Sequence, residues 1–292
     1  MSERSVSDHL GVRAPVAVVT GATDGIGRAT ALRLASTGWT VAVVGRNADR
    51  VGSTAAEIAA SSGRADAAYP ITADLTSLAQ TARVVDELRS WTNRLDLLIL
   101  NANAIVQQRI LTAEGYEANL AIGLLSRALM ARGLEDVLRA TPDAQVVGVL
   151  GEGLTRFDIA DAAFEREFSA MTAVARWQWA WQLWTSGYAA QVPFAVNTYQ
   201  PGLVRTKILM GDPRPEFRAQ VQSLLDAQGV TPEDSALDLI DALKRAHQDR
   251  LTGGYLARGA EPEVRALGER EGDREALDAF VHAAIGSHLL RP

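Results

Sequence analysis

Three closely spaced glycines follow a short run of β-branched residues. Residues 16–20 read as a buried strand, and Gly21, Gly25 and Gly27 separate this strand from a segment of helix-forming residues. A turn without Cβ atoms lets the backbone approach a pyrophosphate, and a helix N-terminus offers free N–H groups and a partial positive charge to phosphate oxygens. The spacing therefore predicts a loop that binds the phosphates of a dinucleotide.

The elements that would position this loop recur along the chain. We predict strands at 15–20, 40–44, 67–72, 95–100, 145–150, 193–200 and 253–256, and helices at 25–37, 48–61, 76–90, 111–138, 166–190, 214–228 and 232–247. Strands that alternate with helices are typical of a Rossmann-type α/β fold, a doubly wound parallel sheet. Residues 1–13 are expected to form a flexible arm, 14–260 the Rossmann domain, and 261–292 a helical extension that packs on the domain.

The amino-acid composition argues against several classes of function. The 292 residues carry a net charge of −6, and 47% of them are hydrophobic, which fits one domain and does not favour binding to nucleic acid. The absence of cysteine excludes disulfides and thiolate chemistry. No pair of histidine and acidic residues has the spacing of metal ligands, so we expect no metal site. The polar start of the chain predicts no signal peptide, and no apolar run reaches the ~18 residues that a membrane helix needs, so we expect a cytoplasmic protein without a membrane partner.

The end of the second predicted strand bears on the choice of nucleotide. In a dinucleotide fold this end lies beside the adenosine ribose, where an acid binds a 2′-hydroxyl and an arginine accommodates a 2′-phosphate. Residues 44–46 contain Arg46 and no acid. Arg46 therefore favours NADP(H) over NAD(H), the alternative being an ordinary surface arginine.

Several motifs together resemble those of the short-chain dehydrogenase/reductase family. The glycine spacing led by Thr20 is similar to the cofactor loop of that family, and residues 111–117 are similar to a segment of its retinol-dehydrogenase-like branch. Asn101-Ala102-Asn103 resembles the family's Asn-Ala-Gly, with Asn103 in place of glycine. Because asparagine tolerates a positive φ, we expect the turn to survive. The resemblance covers residues 14–260.

The resemblance implies a cofactor site. Pro201-Gly202-x-Val204-x-Thr206 is close to the family pattern at the nicotinamide end, and Asp74 resembles its adenine-contacting acid, although Asp74 is also a candidate N-cap of the helix at 76–90. The implied cofactor-binding residues are Gly21, Thr23, Asp24, Gly25, Ile26, Gly27, Arg46, Asn47, Asp74, Leu75, Asn101, Ala102, Asn103, Pro201, Gly202, Val204 and Thr206.

The four residues that carry the family's chemistry, Asn, Ser, Tyr and Lys, are not found at the matching positions. Those positions hold Gly123 for Asn, with Asn119 one turn away, Leu150 or Gly151 for Ser, and either Val174 and Gln178 or Met171 and Ala175 for Tyr and Lys. No tyrosine is followed four residues later by lysine, and both lysines lie after residue 200. General acid–base help from such a tyrosine is worth about 10²–10⁴-fold in rate, so an ordinary reductase mechanism lacks its proton donor.

Two residues are candidates for replacing that chemistry. Glu152 is the first acid after the fifth predicted strand, and a buried glutamate beside a cofactor can act as an acid or base. The alternative is a solvated loop acid. Gln178 is the candidate for orienting the nicotinamide in place of lysine.

Tryptophans are concentrated in the helix predicted at 166–190. Trp177, Trp181 and Trp184 share one helix face. Trp177 and Trp181 are candidates for the wall of a pocket for a hydrophobic substrate. The alternatives are a tryptophan-rich core or a dimer face, since in many relatives this helix packs across a dimer interface. The resemblance thus implies a homodimer or homotetramer.

Three hypotheses for function remain at this stage. The first is an NADP(H)-binding enzyme that performs non-redox chemistry, such as cyclisation, dehydration or rearrangement, on a hydrophobic small molecule of specialised metabolism, with the nucleotide in a structural role. The second is an NADPH-dependent reductase of a carbonyl or alkene with a displaced proton donor. The third is a non-catalytic sensor that binds NADP(H).

Overall fold

A computed structural model describes residues 14–212 and 214–289, so the predicted arm 1–13 lies outside the described residues. The strands are β1 Val16–Thr20, β2 Thr40–Gly45, β3 Ala68–Thr72, β4 Leu97–Leu100, β5 Gln145–Val149, β6 Ala195–Gln200 and β7 Tyr255–Ala257. The helices are α1 Gly25–Ser36, α2 Ala48–Ser62, α3 Leu78–Trp91, α4 Ala118–Leu120, α5 Ser126–Gly133, α6 Glu135–Ala140, α7 Ala170–Ala189, α8 Pro215–Gln228, α9 Pro232–Gln248 and α10 Asp273–Leu289.

The seven strands form one parallel sheet in the order β3-β2-β1-β4-β5-β6-β7. This confirms the predicted doubly wound sheet. The order reverses between β1 and β4, and the carboxyl ends of the strands meet at one edge there. In open α/β sheets this edge is where ligands bind.

Helix starts are set by side chains that accept the free N–H groups of the first turn. Asp24 caps α1, and Asn47 caps α2. The cap of α3 is Ser77, which accepts from the Gln80 N–H, so the predicted capping role of Asp74 is wrong. Asp74 instead accepts from the N–H and hydroxyl of Thr76.

The helix predicted at 111–138 begins only at Ala118. The preceding residues form a turn in which Gly115 has a φ of +85° and Leu111 bridges to Glu117. The buried Glu117 carboxylate then accepts from the N–H groups of Asn119 and Leu120, and a π-helical stretch, Ala121–Leu125, leads into α5.

The sheet is covered on both faces by apolar layers. One layer contains α1, α2 and α9, and the other contains α3, α5 and α7. Leu277, Val281 and Ile285 of α10 are buried in the second layer, so the C-terminal helix packs on the domain. Among the described residues, no helix combines the length and the apolar composition needed to cross a membrane.

Candidate functional site

The glycine loop between β1 and α1 is tightly packed. Gly21 has a φ of +67°, and its N–H donates to the Val44 carbonyl at 2.9 Å. A Cβ at Gly27 would lie 2.4 Å from both the Gly21 carbonyl oxygen and the Asn101 amide nitrogen. Glycine is therefore required at Gly27 for the helix to approach the strand. The resulting cradle at the N-terminus of α1 fits a phosphate group.

A pocket of about 590 Å³ begins at this loop and extends past the ends of β4, β5 and β6. Its walls come from the glycine loop, the segments after these three strands, and one face of α7. The lining includes Gly21, Asp24, Gly25, Ile26, Asn101, Asn103, Ala104, Ile105, Val149, Leu150, Gly151, Glu152, Met171, Val174, Ala175, Gln178, Pro201, Gly202, Leu203, Val204, Thr206, Lys207, Ile208 and Leu225. Ten of the predicted cofactor residues are in this set.

The other predicted cofactor residues lie at the same edge of the sheet but outside the pocket lining. Arg46 follows β2 and is exposed, and Gly45 packs against Thr23 of the glycine loop. Arg50, which sequence reasoning missed, donates to the Thr23 carbonyl at 2.8 Å and pairs with Asp24 at 2.8 Å. The Arg50 hydrogen bond is the main reason why the pKa of the Asp24 carboxyl is lowered. Asn47, Asp74, Leu75, Gly27 and Ala102 complete this group.

Two asparagine side chains hold the segment that follows β4. The Asn101 amide donates to the Thr20 carbonyl at 3.1 Å and so ties β4 to the glycine loop. Asn103 does not have a positive φ, so the tolerance of asparagine for that conformation is not needed here. Its side-chain oxygen accepts from the Ala104 N–H at 2.8 Å, and the residue lines the pocket.

Comparison with known proteins identifies the family to which this arrangement belongs. The family model described as short chain dehydrogenase matches residues 15–150. DnrU of Streptomyces sp. (strain C5), provisionally named a daunorubicin C-13 ketoreductase, is 32% identical over 216 residues, which are 71% of this chain and 72% of DnrU. The chain belongs to the short-chain dehydrogenase/reductase family.

Further members of the family support the assignment. Mouse polyprenol dehydrogenase is 30% identical over 266 residues, covering 85% of this chain and 77% of that protein. Among solved structures, the NADP complex of Pseudomonas aeruginosa RhlG superposes with a TM-score of 0.66 at 23% identity, covering 84% of this chain and 95% of that one. The likeness to RhlG shows a shared fold.

The positions that the sequence resemblance matched to the family's catalytic residues line the pocket, apart from Gly123. Met171, Val174, Ala175 and Gln178 all face the pocket from α7. The Gln178 amide contacts the main chain of the β5 loop, accepting from the Gly151 N–H at 3.2 Å and donating to the Glu152 carbonyl at 3.3 Å. Gln178 thus holds the loop that follows β5.

Neither of the two positions considered for the family's asparagine lines the pocket. Gly123 is buried beneath the ring of Trp177. Asn119 is also buried, and its side chain accepts from the Val106 N–H at 2.8 Å and donates to the Val106 carbonyl at 3.1 Å. Asn119 therefore fixes the loop before α4.

Glu152 lines the pocket in a setting unlike the one expected. The predicted acid–base role required a buried carboxylate, but this side chain is 49% exposed and pairs with Arg265 at 3.1 Å. Arg265 in turn stacks on the Tyr255 ring at 3.7 Å. The structure therefore gives Glu152 a partner from the C-terminal segment rather than an apolar surrounding.

The interpretation of Trp177 and Trp181 as substrate-pocket residues is wrong. Both are fully buried and neither lines the pocket. Every residue of α7 from 177 to 185 is buried within the chain, partly because α10 packs against this helix. The tryptophans are core residues, and this part of α7 leaves no free face for a second copy of the chain.

Sequence reasoning also missed Lys207, which lines the pocket immediately after the Thr206 of the nicotinamide-end motif. Its ammonium group is close enough to lower the pKa of Asp24 through Coulombic interaction. Lys207 therefore faces the glycine loop from the opposite wall. The signal in the sequence that could have identified Lys207 is its position directly after the motif that ends at Thr206.

Proposed function

We propose that this protein binds NADP(H) and is an oxidoreductase that acts on a hydrophobic small molecule. The observation that carries the proposal is one pocket whose lining combines the glycine loop at the start of α1 with an apolar part, here called the apolar chamber. The chamber is lined by Ile105, Val149, Leu150, Met171, Val174, Leu203, Ile208 and Leu225. DnrU and polyprenol dehydrogenase carry the names of enzymes of this class, and RhlG was solved with NADP.

The chain's own residues account for binding. The first turn of α1 after Gly25 would hold the pyrophosphate, and Arg46 would hold a 2′-phosphate. When bound, the nicotinamide supplies or accepts a hydride. The apolar chamber would surround a bound substrate with nonpolar side chains, and Gln178 keeps the β5 loop in place beside it.

The proposed reaction takes its proton from outside the usual tetrad. None of Gly151, Met171, Val174, Ala175 and Gln178 carries an ionisable group. Glu152 is exposed and paired with Arg265, so water or the substrate itself is the proton source in this proposal.

A second candidate function is favoured by the same lack of ionisable groups at Gly151, Met171, Val174, Ala175 and Gln178. A shaped apolar pocket that holds a nucleotide in a structural role would suit cyclisation, dehydration or rearrangement of a specialised metabolite. The two candidates differ in cofactor consumption. With a panel of apolar ketones, aldehydes and enones, a reductase consumes NADPH, whereas a non-redox enzyme converts its substrate equally with NADPH or NADP⁺.

Replacement of Arg46 by alanine tests the cofactor assignment. Loss of a charge-assisted contact to a 2′-phosphate is expected to weaken NADPH binding about tenfold, and NADH binding is expected to change little. Isothermal titration calorimetry with both nucleotides measures the difference. Arg33→Ala, an exposed arginine on α1 away from the pocket, is the matched control. Equal weakening of both nucleotides by Arg46→Ala would contradict the preference for NADP(H).

Lys207→Ala is expected to weaken NADPH and NADH alike, because an ammonium that faces the glycine loop would contact the pyrophosphate common to both. The expected loss is roughly five- to tenfold and falls as ionic strength rises. Lys244, the other lysine of the chain, lies on α9, and Lys244→Ala should leave both affinities unchanged. A loss confined to NADPH would place Lys207 at the 2′-phosphate instead.

A homodimer or homotetramer remains part of the proposal, as does the cytoplasm as its location. Such an oligomer would use a surface other than the buried part of α7. Light scattering coupled to size-exclusion chromatography measures the number of copies directly.

A further inference from the structure

A fully buried arginine lies behind the wall of the pocket. Arg127 of α5 is 2% exposed. One of its guanidinium nitrogens donates to the Ala102 carbonyl at 3.1 Å and to the Val149 carbonyl at 2.9 Å. These carbonyls follow or end β4 and β5, and the neighbouring residues Asn101 and Asn103, with Val149 itself, line the pocket. The charge of Arg127 is thus one layer of main chain away from the pocket.

The surroundings of Arg127 are aromatic. Its guanidinium lies 5.0 Å from the centre of the Trp177 ring and 5.6 Å from that of Trp181. Space for the two rings exists because Gly123 and Gly148 have no side chains, since a Cβ at either would lie within 2.3 Å of a ring atom. Two glycines, two tryptophans and one arginine therefore form a single packed unit, here called the Arg127 cluster.

The charge of Arg127 is not balanced by a carboxylate. Among the described residues it forms no ion pair, and two of its nitrogens have no hydrogen-bond partner. Burial alone lowers the pKa of Arg127 to about 9, so the guanidinium stays protonated at neutral pH. By contrast, the charged pocket residues face opposite charges: Asp24 faces Arg50 and Lys207, and Glu152 faces Arg265.

We propose that Arg127 is a positioning residue that braces the carboxyl ends of β4 and β5 and places an uncompensated positive charge behind the nicotinamide end of the pocket, so that the site binds NADPH in preference to NADP⁺. This inference rests on the proposed binding of NADP(H). The oxidised nicotinamide ring carries a positive charge and the reduced ring does not. A fixed cation in the wall of the pocket disfavours the charged ring, and repulsion between two unit charges in a medium of low dielectric constant changes a binding equilibrium by about tenfold.

Calorimetric titration of the whole chain with NADPH and NADP⁺ tests the inference. Wild-type protein is expected to bind NADPH about tenfold more tightly than NADP⁺. Arg127→Met should bring the two affinities within about twofold, and Arg127→Lys, which keeps the charge, should retain most of the preference. If Arg127 had only a structural role, Arg127→Met would weaken the binding of both nucleotides by the same factor. The ratio of their two dissociation constants would then stay unchanged.

Arg132 provides a matched control on the same helix. It also stacks on aromatic rings, 4.4 Å from the Tyr188 centroid, but Glu135 and Asp278 balance its charge at 3.6 Å and 3.4 Å. Arg132→Met should therefore leave the ratio unchanged, and a shift equal to that of Arg127→Met would overturn the inference.

The affinities of the wild-type protein for NADPH and NADP⁺ test the inference even if Arg127→Met fails to fold. Equal affinity for NADPH and NADP⁺ overturns the role of Arg127 while leaving the proposed function intact. Binding of neither nucleotide overturns the proposed function, and with it this inference.

Discussion

Replacing Gly123 by alanine is expected to lower the free energy of unfolding by about 3 kcal/mol, because overpacking of a closed core typically costs 1–3 kcal/mol and occasionally more. An added Cβ would lie 2.2 Å from the Trp177 ring, which is itself fully buried and has no room to withdraw. Thermal unfolding followed by circular dichroism should show a fall of about 5 °C or more in Tm.

The matched control for Gly123→Ala is Gly52→Ala. Gly52 lies inside α2, is exposed, and has no atom within 4 Å of an added Cβ. Gly52→Ala is expected to stabilise the protein by roughly 0.5–1 kcal/mol, because alanine has the higher helix propensity. A Gly123→Ala variant as stable as the wild type would contradict the packing of Trp177 against Gly123.

The same clash applies to the asparagine that the family resemblance implies at position 123. Introducing it by Gly123→Asn is expected to destabilise the protein at least as much as alanine does. The penalty comes from contact with Trp177. The substitution Trp177→Leu should therefore lower the free energy of unfolding less in the Gly123→Asn variant than in the wild type.

Gly25→Val is expected to reduce nucleotide affinity roughly a hundredfold. Gly25 lines the pocket with a φ of +50°, and its added Cβ would lie 2.9 Å from the Thr206 side chain. A β-branched residue would fill the cradle and displace the N–H groups that face a phosphate. Loss of one or two such charge-assisted bonds, at about 1.5–3 kcal/mol each, gives this magnitude. Calorimetry with NADPH measures it.

Gly63→Val separates the loss of binding from backbone strain. Gly63 ends α2 with a φ of +66° and has no atom within 4 Å of an added Cβ. It should therefore lower Tm through the same kind of strain while leaving NADPH affinity unchanged. If Gly25→Val bound NADPH as tightly as Gly63→Val does, the glycine loop would not be the phosphate site.

Local sequence determined the fold and the part of the pocket that the glycine loop forms. The buried strands are continuous apolar runs, and the glycine spacing lies within a few residues of β1, so both patterns are readable without knowledge of the rest of the chain. The absence of a tyrosine followed four residues later by lysine was equally clear, since it needs only the order of residues.

Tertiary structure decided what the unusual residues do, because their roles depend on partners that are distant in the chain. Glu152 is paired with Arg265, 113 residues later, and no local pattern predicts that contact. The tryptophans of α7 are core residues because α5 and α10 cover them, whereas helical periodicity alone is the same for a core, a pocket wall and a dimer face. Nothing in the local sequence distinguishes Arg127 from an ordinary surface arginine. Its charge is buried behind the pocket because of the way the sheet and α7 are arranged around it.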